Sequence, residues 1–373
     1  MAERIRTVQL TEWEEFQRFL ERSYGHSRGF FPRHYPQLYR QDEDALSCFF
    51  VLERDGKIVS HVGLFPLECV AFGCRVRVGG IGGVSTLPEE RGKGYMSRLL
   101  RHIIAQMRDR GWPLSGLGGD RQRYNAFGWE VAGLKYILRF TRRSMDRAGV
   151  RPAEVREVMP EEAVSEVERL LRTLSLRVER RQTSLTLRKP GIRAWLSEDG
   201  YLLSKGEGFG SVQILELVSP TGREPELVRA VMERCFGAEA VLQVSAWDRE
   251  RLKRLLPPAA WWKAEPDWVY RVVDLAGLLE AYRGWLEGRT KWVAPFELSL
   301  GFKFQDKVQQ ATIFVRDGKV EIARGRRAEL YVELDALDGV RLLLGGPSPE
   351  REEVAGLSGL LPLPVHIPIL DHV

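Results

Sequence analysis

Long apolar runs are missing from this sequence, which has 373 residues. A membrane-spanning helix needs about 18 or more consecutive apolar residues, and no stretch approaches that length. The first residues, Met1 to Arg6, lead into an acidic amphipathic pattern and not into the apolar core of a signal peptide. We therefore expect no membrane partner and a cytoplasmic location.

Cysteine and histidine are also scarce, with four cysteines and six histidines in the whole chain. The cysteines form no CxxC pair and have no histidine cluster beside them, so neither a zinc site nor a disulfide framework is expected. We expect no metal cofactor, and we expect buried free thiols in a reducing compartment. The cysteines are Cys48, Cys69, Cys74 and Cys235.

A concentrated basic face is missing as well. The net charge of +5 and the pI near 9.0 come from arginine mixed with glutamate along most of the chain. Proteins that bind nucleic acids usually gather basic charge on one face, so no nucleic-acid partner is expected. The densest basic stretch runs from Lys135 to Arg156, where we expect a solvated linker between domains.

What the sequence does contain is a glycine-rich turn between a predicted strand and a predicted helix. The turn follows Pro88, and the helix after it has apolar residues at helical spacing. Unpaired N–H groups at a helix start point outward together, and the helix dipole adds positive potential there. Gly92 and Gly94 carry no Cβ and allow close approach of an anion. The pattern predicts a phosphate site.

Two common phosphate motifs do not match this turn, since both GxGxxG and GxxxxGK[ST] are absent. The segment resembles motif A of the GCN5-related N-acetyltransferase (GNAT) superfamily, Arg/Gln-x-x-Gly-x-Gly/Ala. Arg91 and Gly94 match its first and fourth positions, whereas Met96 replaces the usual small residue. The resemblance implies acetyl-CoA as co-substrate. It also implies that the pyrophosphate is held by Arg91, Gly92, Lys93, Gly94, Tyr95 and Met96, and the pantetheine arm by Val84, Ser85 and Thr86.

A second segment, residues 118–130, resembles the Tyr-x-x-Phe-Gly-Tyr/Trp stretch of the same superfamily. There a short helix carries a tyrosine to the thiol end of the cofactor. The resemblance implies that Tyr124 is the general acid, since a neutral phenol can protonate the leaving thiolate. The alternative is that Tyr124 packs in the core beside Phe127 and Trp129.

Three domains are expected, because the chain exceeds what one hydrophobic core usually supports. Residues 1–145 fit a catalytic GNAT domain. Residues 151–272 repeat its pattern without the glycine turn, as a degenerate GNAT-like domain. Residues 274–373 are predicted to form helix, antiparallel strands and helix, and they resemble a sterol-carrier-protein-2-like (SCP2-like) domain. The fold class is therefore α+β (mixed α/β), with mixed sheets flanked by helices.

Together these domains resemble the enhanced-intracellular-survival (Eis) family of acetyltransferases, in whose better-known members a large apolar residue also replaces Gly or Ala in the turn. The family implies that the terminal carboxylate, here Val373, enters the active site as general base. Asp371 and His372 are competing candidates for that role. A tail that simply packs on its own domain remains open. The family also implies a homo-oligomer, with a hexamer as the expected state.

The predicted activity is N-acetylation of a primary amine, on a small molecule or a lysine, by direct attack in a ternary complex. The sequence does not name the acceptor, because no charge cluster decides between the two. Two alternatives stay open. One is a different acyl transfer on the same doubled fold, and the other is a non-enzyme that senses coenzyme A or binds a lipid.

Overall fold

The structure, a computed structural model, describes residues 3–207, 210–347, 354 and 357–373. The chain divides into two compact units. Unit 1 consists of residues 1–133, 268–365 and Val373. Unit 2 consists of residues 134–267 and 366–372.

The strands of the described residues are numbered in chain order. They are β1 (Glu3–Thr7), β2 (Phe49–Arg54), β3 (Lys57–Ala71), β4 (Cys74–Thr86), β5 (Leu114–Leu117), β6 (Glu130–Ala132), β7 (Lys135–Thr141), β8 (Arg156–Val158), β9 (Leu176–Glu179), β10 (Ile192–Leu196), β11 (Tyr201–Glu207), β12 (Ser211–Val218), β13 (Glu239–Ser245), β14 (Trp261–Glu265), β15 (Trp268–Val272), β16 (Phe296–Phe304), β17 (Lys307–Arg316), β18 (Lys319–Arg324) and β19 (Tyr331–Asp335).

The α-helices are numbered in the same way. They are α1 (Trp13–Tyr24), α2 (Phe30–His34), α3 (Glu43–Leu46), α4 (Tyr95–Asp109), α5 (Arg121–Asn125), α6 (Arg142–Arg147), α7 (Val164–Leu171), α8 (Thr183–Leu187), α9 (Glu224–Arg234), α10 (Arg249–Leu255), α11 (Leu275–Ala281), α12 (Arg283–Glu287) and α13 (Ala336–Leu344).

Unit 1 contains a mixed sheet with the strand order β1-β2-β3-β4-β5-β15-β6. Its centre is the long antiparallel hairpin of β3 and β4, and β4 then pairs in parallel with β5. The connection between these parallel strands is α4, as a parallel pair requires a crossover. The apolar face of α4 is fully buried against the sheet at Leu99, Leu100 and Ile103. Burial of each such side chain contributes roughly 1.5–3 kcal/mol.

Unit 1 also contains a four-stranded sheet with the order β18-β17-β16-β19. Strands β16, β17 and β18 are antiparallel, and β19 runs parallel to β16. The turn between β17 and β18 is Asp317–Gly318, with positive φ at both residues. Helices α11 and α13 come before and after these strands in the chain, as predicted, but the expectation of antiparallel strands is wrong for β19.

Unit 2 contains a seven-stranded sheet with the order β14-β7-β13-β12-β11-β10-β8. It too has a parallel pair, β12 and β13, connected by a helix, α9. The start of α9 differs from that of α4, because the buried carboxylate of Glu224 lies in its first turn. Arg254 binds that carboxylate with two hydrogen bonds of 2.9 and 2.7 Å. This acid makes the helix start unsuited to a phosphate.

The chain segment 366–372 is held inside unit 2 by a buried ion network. Arg180 donates to Asp371 Oδ1 at 2.7 Å and to Glu216 Oε1 at 2.9 Å, and its side chain is 4% exposed. Lys189 Nζ donates to the main-chain oxygen of Leu370 at 2.7 Å. These bonds fix the segment at Leu370 and Asp371, just before the last residue of the chain.

The fold class is confirmed, since mixed sheets flanked by helices are present in both units. Two strands lie on the other side of the expected domain boundaries. β7, from the predicted first domain, lies inside the sheet of unit 2 between β13 and β14. β15, from the predicted second domain, lies in the sheet of unit 1 between β5 and β6. The three-domain division itself stays a prediction.

The expected linker from Lys135 to Arg156 is wrong. Its first part is strand β7, and α6 follows directly. Arg139 pairs across the sheet with Glu239 at 2.9 Å and lies over the ring of Trp261. Cross-strand pairing and stacking explain why these basic residues belong to a strand and not to a solvated connector.

None of the helices within the described ranges combines the length and the apolar character that crossing a membrane requires. A search of the same ranges for three or more metal-binding side chains in one place found no group. All four cysteines are free thiols, and Cys69 and Cys74 are buried.

We predict that Arg180→Met lowers the free energy of unfolding by about 3 kcal/mol, since two buried carboxylates lose their counter-charge. Arg169→Met is the matched control, because Arg169 pairs with Glu166 but its side chain is 61% exposed. The free energy of unfolding of Arg169→Met should fall by less than about 1 kcal/mol. Urea unfolding of both variants measures the difference, and equal losses would contradict a buried anchor.

Candidate active site

The main chain changes course near the end of β4. The pairing of β4 with β5 covers Val78–Ile81, whereas β4 itself continues to Thr86. A register shift interrupts the pairing of β3 with β4 at this point, and Gly83 has a φ of 61°. The bulge turns the last residues of β4 relative to the ladder before it. The end of β4 therefore continues beyond its parallel neighbour.

The direction of the peptide groups after the bulge follows from their hydrogen bonds. The Leu87 N–H donates to the oxygen of Val59 in β3 at 3.1 Å, so the Leu87 peptide faces β3. Successive residues alternate in a strand, so the peptide groups of Val84 and Thr86 face away from β3. That side is where an extended, amide-bearing ligand arm can pair with the strand.

The oxygens on this side have partners within unit 1. Tyr24 donates its hydroxyl hydrogen to the oxygen of Val84 at 2.9 Å. Arg91 Nε donates to the oxygen of Thr86 at 3.3 Å. Arg91 also donates to the oxygen of Ser23 at 3.1 Å and so links the turn to the end of α1.

The glycine turn opens α4 as the sequence predicts. Gly94 is the N-cap residue with a φ of 76°, and Gly92 has a φ of 81°. Both values lie in the left-handed region, where a side chain would be strained. A Cβ at either position would meet no heavy atom within 4 Å, so the space in front of the turn is open. The first N–H groups of α4 have no intrahelical acceptor and can bind an oxyanion.

Three of the predicted phosphate-binding residues direct their side chains elsewhere. Tyr95 is buried, and its hydroxyl donates to Glu3 Oε1 at 3.0 Å. Met96 packs against the core under α4. Lys93 pairs with Glu90 at 2.7 Å. The side chains of Tyr95 and Met96 therefore stabilise the helix start.

Tyr124 lies on α5, a short helix capped by Asp120, whose carboxylate accepts from the Arg123 N–H at 3.0 Å. Its ring is buried and packs edge-on against Trp129. In the portion of the chain that the structure describes, the hydroxyl makes no hydrogen bond. Burial raises the pKa of Tyr124 above its ordinary value of 10.0. The phenol is therefore neutral and holds a proton that it can donate.

Further tyrosines surround this point. Burial raises the pKa of Tyr24, and the nearby Tyr124 and Tyr35 raise it further. Tyr39 is buried with a raised pKa, and its hydroxyl lies against Gly83. Tyr35 and Tyr39 come from the segment between α1 and β2. Tyr24 was missed, because nothing in its sequence neighbourhood distinguishes it from any aromatic at a helix end.

His61 was also missed. It is fully buried beside Phe16 and Phe49, and its Nδ1 lies 2.7 Å from the oxygen of Gly83. Burial lowers the pKa of His61 to about 4, although the bond to Gly83 opposes the shift. The ring is therefore neutral and donates from Nδ1, which makes Nε2 an acceptor. No local sequence pattern marks His61, because its position beside the bulge becomes visible only when the pairing of β3 with β4 is known.

The last residue, Val373, lies in unit 1 against β4. A Cβ built on Gly82 would be 2.8 Å from the carboxyl carbon of Val373, and one built on Gly80 would be 2.8 Å from its Cγ2. Glycine at both positions is what allows this approach. Val373 also packs against the aromatic cluster that contains Phe65 and Tyr39.

The competing candidates for a base are occupied in unit 2. Asp371 is paired with Arg180, and His372 Nε2 lies 3.1 Å from the oxygen of Ile367. Burial lowers the pKa of His372. Val84 to Thr86, the glycine turn, Tyr124 and Val373 all belong to unit 1.

One segment of unit 1 matches a known family of domains. Residues 4–132 match the family described as "Acetyltransferase (GNAT) domain". No curated protein gives a significant match to the chain.

Three solved structures are similar over nearly the whole chain, and each shows the fold. A GCN5-related N-acetyltransferase from Anabaena variabilis is 18% identical, with a TM-score of 0.74 and 98% of each chain covered. One from Kribbella flavida is 20% identical, with a TM-score of 0.69, and covers 91% of this chain and 90% of its own. Eis1 from Mycobacterium abscessus is 16% identical, with a TM-score of 0.68, and covers 97% of this chain and 99% of its own.

GNAT domains use acetyl-CoA and act on amine acceptors. Since residues 4–132 match that family and contain the glycine turn and Tyr124, the protein is an enzyme, an acyltransferase of the N-acetyltransferase type.

Proposed function

We propose that this protein transfers the acetyl group of acetyl-CoA to a primary amine by direct attack in a ternary complex, with Tyr124 as general acid and the Val373 carboxylate as general base. The observation that carries the proposal is the position of the Val373 carboxyl group against Gly82. Gly82 lies two residues before Val84, whose oxygen is bound by Tyr24. Tyr24 in turn lies close enough to Tyr124 for Tyr124 to raise the pKa of Tyr24.

The donor half of the proposed site has two parts. The pyrophosphate of the cofactor binds the N–H groups at the start of α4, where Gly92 and Gly94 leave the approach open. The pantetheine arm runs beside the end of β4 and pairs with the peptide groups of Val84 and Thr86, which face away from β3. Ser85 lies between them, and its peptide is bound to β3 through Ser60.

The chemical step needs one proton acceptor and one proton donor. The acceptor substrate arrives as an ammonium group and gives a proton to the Val373 carboxylate. The free amine attacks the thioester carbonyl carbon, a C–N bond forms, and the C–S bond breaks. The coenzyme A thiolate leaves with the phenolic proton of Tyr124, and the Tyr124 phenolate then takes the second proton that the attacking nitrogen loses as it becomes an amide. Burial favours this direction, because shielding from water makes a carboxylate a stronger base and keeps the phenol protonated.

The proposed acceptor is an amine on a small molecule or a lysine side chain. The aromatic cluster that Val373 packs against has two partly exposed aromatic members, Phe30 and Tyr35, which offer a surface for the apolar part of such a substrate. Two further parts of the proposal rest on the resemblance to known families: the SCP2-like character of residues 274–373 and the hexamer. The proposed cytoplasmic location rests on the lack of long apolar runs in the sequence. The degenerate second GNAT-like domain is also a proposal, and Glu224 at the start of α9 supports it.

We predict that Tyr124→Phe lowers kcat roughly 100-fold with little change in KM for acetyl-CoA, because the leaving thiolate loses its proton donor. The ring stays in place, so folding is preserved. In the unsubstituted enzyme kcat should not fall on the alkaline side up to pH 9.5, since the pKa of Tyr124 lies above 10.0. Steady-state rates with the best amine test both statements, and full turnover by Tyr124→Phe would exclude its role as the acid.

We predict that two glycines appended after Val373 lower kcat roughly 100-fold, because the base is moved away from the acceptor. Gly82→Ala should lower kcat in the same way, since its Cβ would occupy the space of the Val373 carboxyl group. The matched control is Gly206→Ala, where a Cβ meets nothing within 4 Å. Normal rates in both active-site variants would refute the carboxylate as base.

The choice of acceptor needs a direct assay. Acetyl-CoA consumption, measured with a panel of aminoglycosides, polyamines and lysine peptides, should identify at least one primary amine whose turnover depends on Tyr124. Turnover of a long-chain acyl-CoA and not of acetyl-CoA would favour a different acyl transfer. Binding of coenzyme A without turnover of any amine would favour a sensor.

A further inference from the structure

A basic cavity lies in unit 1 away from the glycine turn. Its volume is about 160 Å³. Its walls come from the second half of α4, the segment after α5, strand β15 and the hairpin of β16 and β17. The charged residues in these walls are Arg101, Arg108, Arg271 and Lys307.

The charges of this cavity are unbalanced. The lining contains four cationic side chains and no aspartate or glutamate. The neighbouring acids Asp109 and Asp306 are not among the lining residues. Arg101, Arg108 and Lys307 are exposed, so water solvates them. Arg271 is different, because it is 5% exposed.

The side chain of Arg271 is fixed in place, but one of its N–H donors has no hydrogen-bond partner among the described residues. Its guanidinium lies between the rings of Trp129 and Phe304, 5.5 and 4.9 Å from their centroids. Nη1 donates to the main-chain oxygen of Phe127. Its Nε is buried and has no hydrogen-bond partner among the residues that the structure describes. A buried donor without a partner is costly, and a buried charge without a counter-charge is more so.

The electrostatics agree with a missing anion. Burial, together with a smaller contribution from the nearby Arg108, lowers the pKa of Arg271 to about 9. An arginine seldom has so low a pKa, and an anion in the cavity would restore it. Guanidinium groups bind oxyanions with charge-assisted hydrogen bonds, which are stronger than neutral ones.

We propose that this cavity binds a phosphate group, held by Arg271 from the buried side and by Arg108, Arg101 and Lys307 from the solvent side. Its volume, on the order of five water molecules at ~30 Å³ each, admits inorganic phosphate or a small phosphate ester but not a nucleotide. The lining residues of α4 lie along the helix from the glycine turn, since Arg101 follows Gly94 by seven residues, roughly 10 Å, and Arg108 by 14 residues, roughly 21 Å.

The test is calorimetric titration of inorganic phosphate into the full-length protein, at constant ionic strength set with sodium chloride. Titrations with and without saturating coenzyme A separate this cavity from the glycine turn. Binding should persist when coenzyme A is present. A parallel titration with glycerol 2-phosphate distinguishes the sources: tighter binding of inorganic phosphate indicates the free ion, and tighter binding of the ester indicates a phosphorylated metabolite.

Substitutions at exposed residues keep the test independent of folding. Arg108→Gln and Lys307→Gln should each weaken phosphate binding roughly threefold, and the double variant roughly tenfold. The matched control is Arg77→Gln, since Arg77 is an exposed arginine of unit 1 that does not line the cavity. Arg271→Met should abolish the rise in unfolding temperature that phosphate causes.

Two results would overturn the proposal. One is phosphate binding that coenzyme A abolishes and that the double variant leaves unchanged, because the anion would then occupy the glycine turn. The other is no binding of either phosphate compound at millimolar concentration in the presence of coenzyme A. Neither result depends on acetyltransferase activity, so the proposed function is tested separately.

Discussion

The parting of β4 from β5 is the constraint on which the proposed active site depends. As long as two parallel strands are paired, their peptide groups satisfy each other and leave nothing for a ligand. Beyond Ile81 the peptide groups of β4 that face away from β3 become available. The bulge at Gly83 sets their direction, and the open turn at Gly94 follows within a few residues. In the proposed site, the end of β4 therefore supplies the pairing edge and leads into the turn that would bind the anion.

Buried charges explain much of the remaining architecture. Where a carboxylate is present, as in the contacts of Arg180 with Asp371 and Glu216, the charge fixes a chain segment. Where a carboxylate occupies a helix start, as Glu224 does in α9, it replaces an external anion. Where the described residues place no carboxylate beside the charge, as in the cavity that contains Arg271, the proposed partner is a phosphate from solution. The same physical rule, that a buried charge needs a partner, has a different consequence in each place.

The donor half of the site was predictable from the sequence because it is local. Gly92, Gly94 and the helix after them lie within one short segment, and their conformations depend on neighbours along the chain. Tyr124 was equally accessible, since its helix and its cap at Asp120 are adjacent in sequence. The stretch from Lys135 to Arg156 was misread, because the partners of its arginine, Glu239 and Trp261, lie about a hundred residues away. A strand whose stabilising contacts come from distant residues cannot be recognised from its neighbours along the chain.

The sequence by itself determined the glycine turn at the start of α4, the mixed α/β class and the position of Tyr124 on a short capped helix, because capping, glycine conformation and periodicity are short-range effects. The tertiary structure decided which groups surround the reacting end. Tyr24 meets Val84 across 60 residues, and Val373 approaches Gly82 from the other end of the chain. Such contacts depend on sheet register and on space left by glycine, and neither is encoded in any single segment.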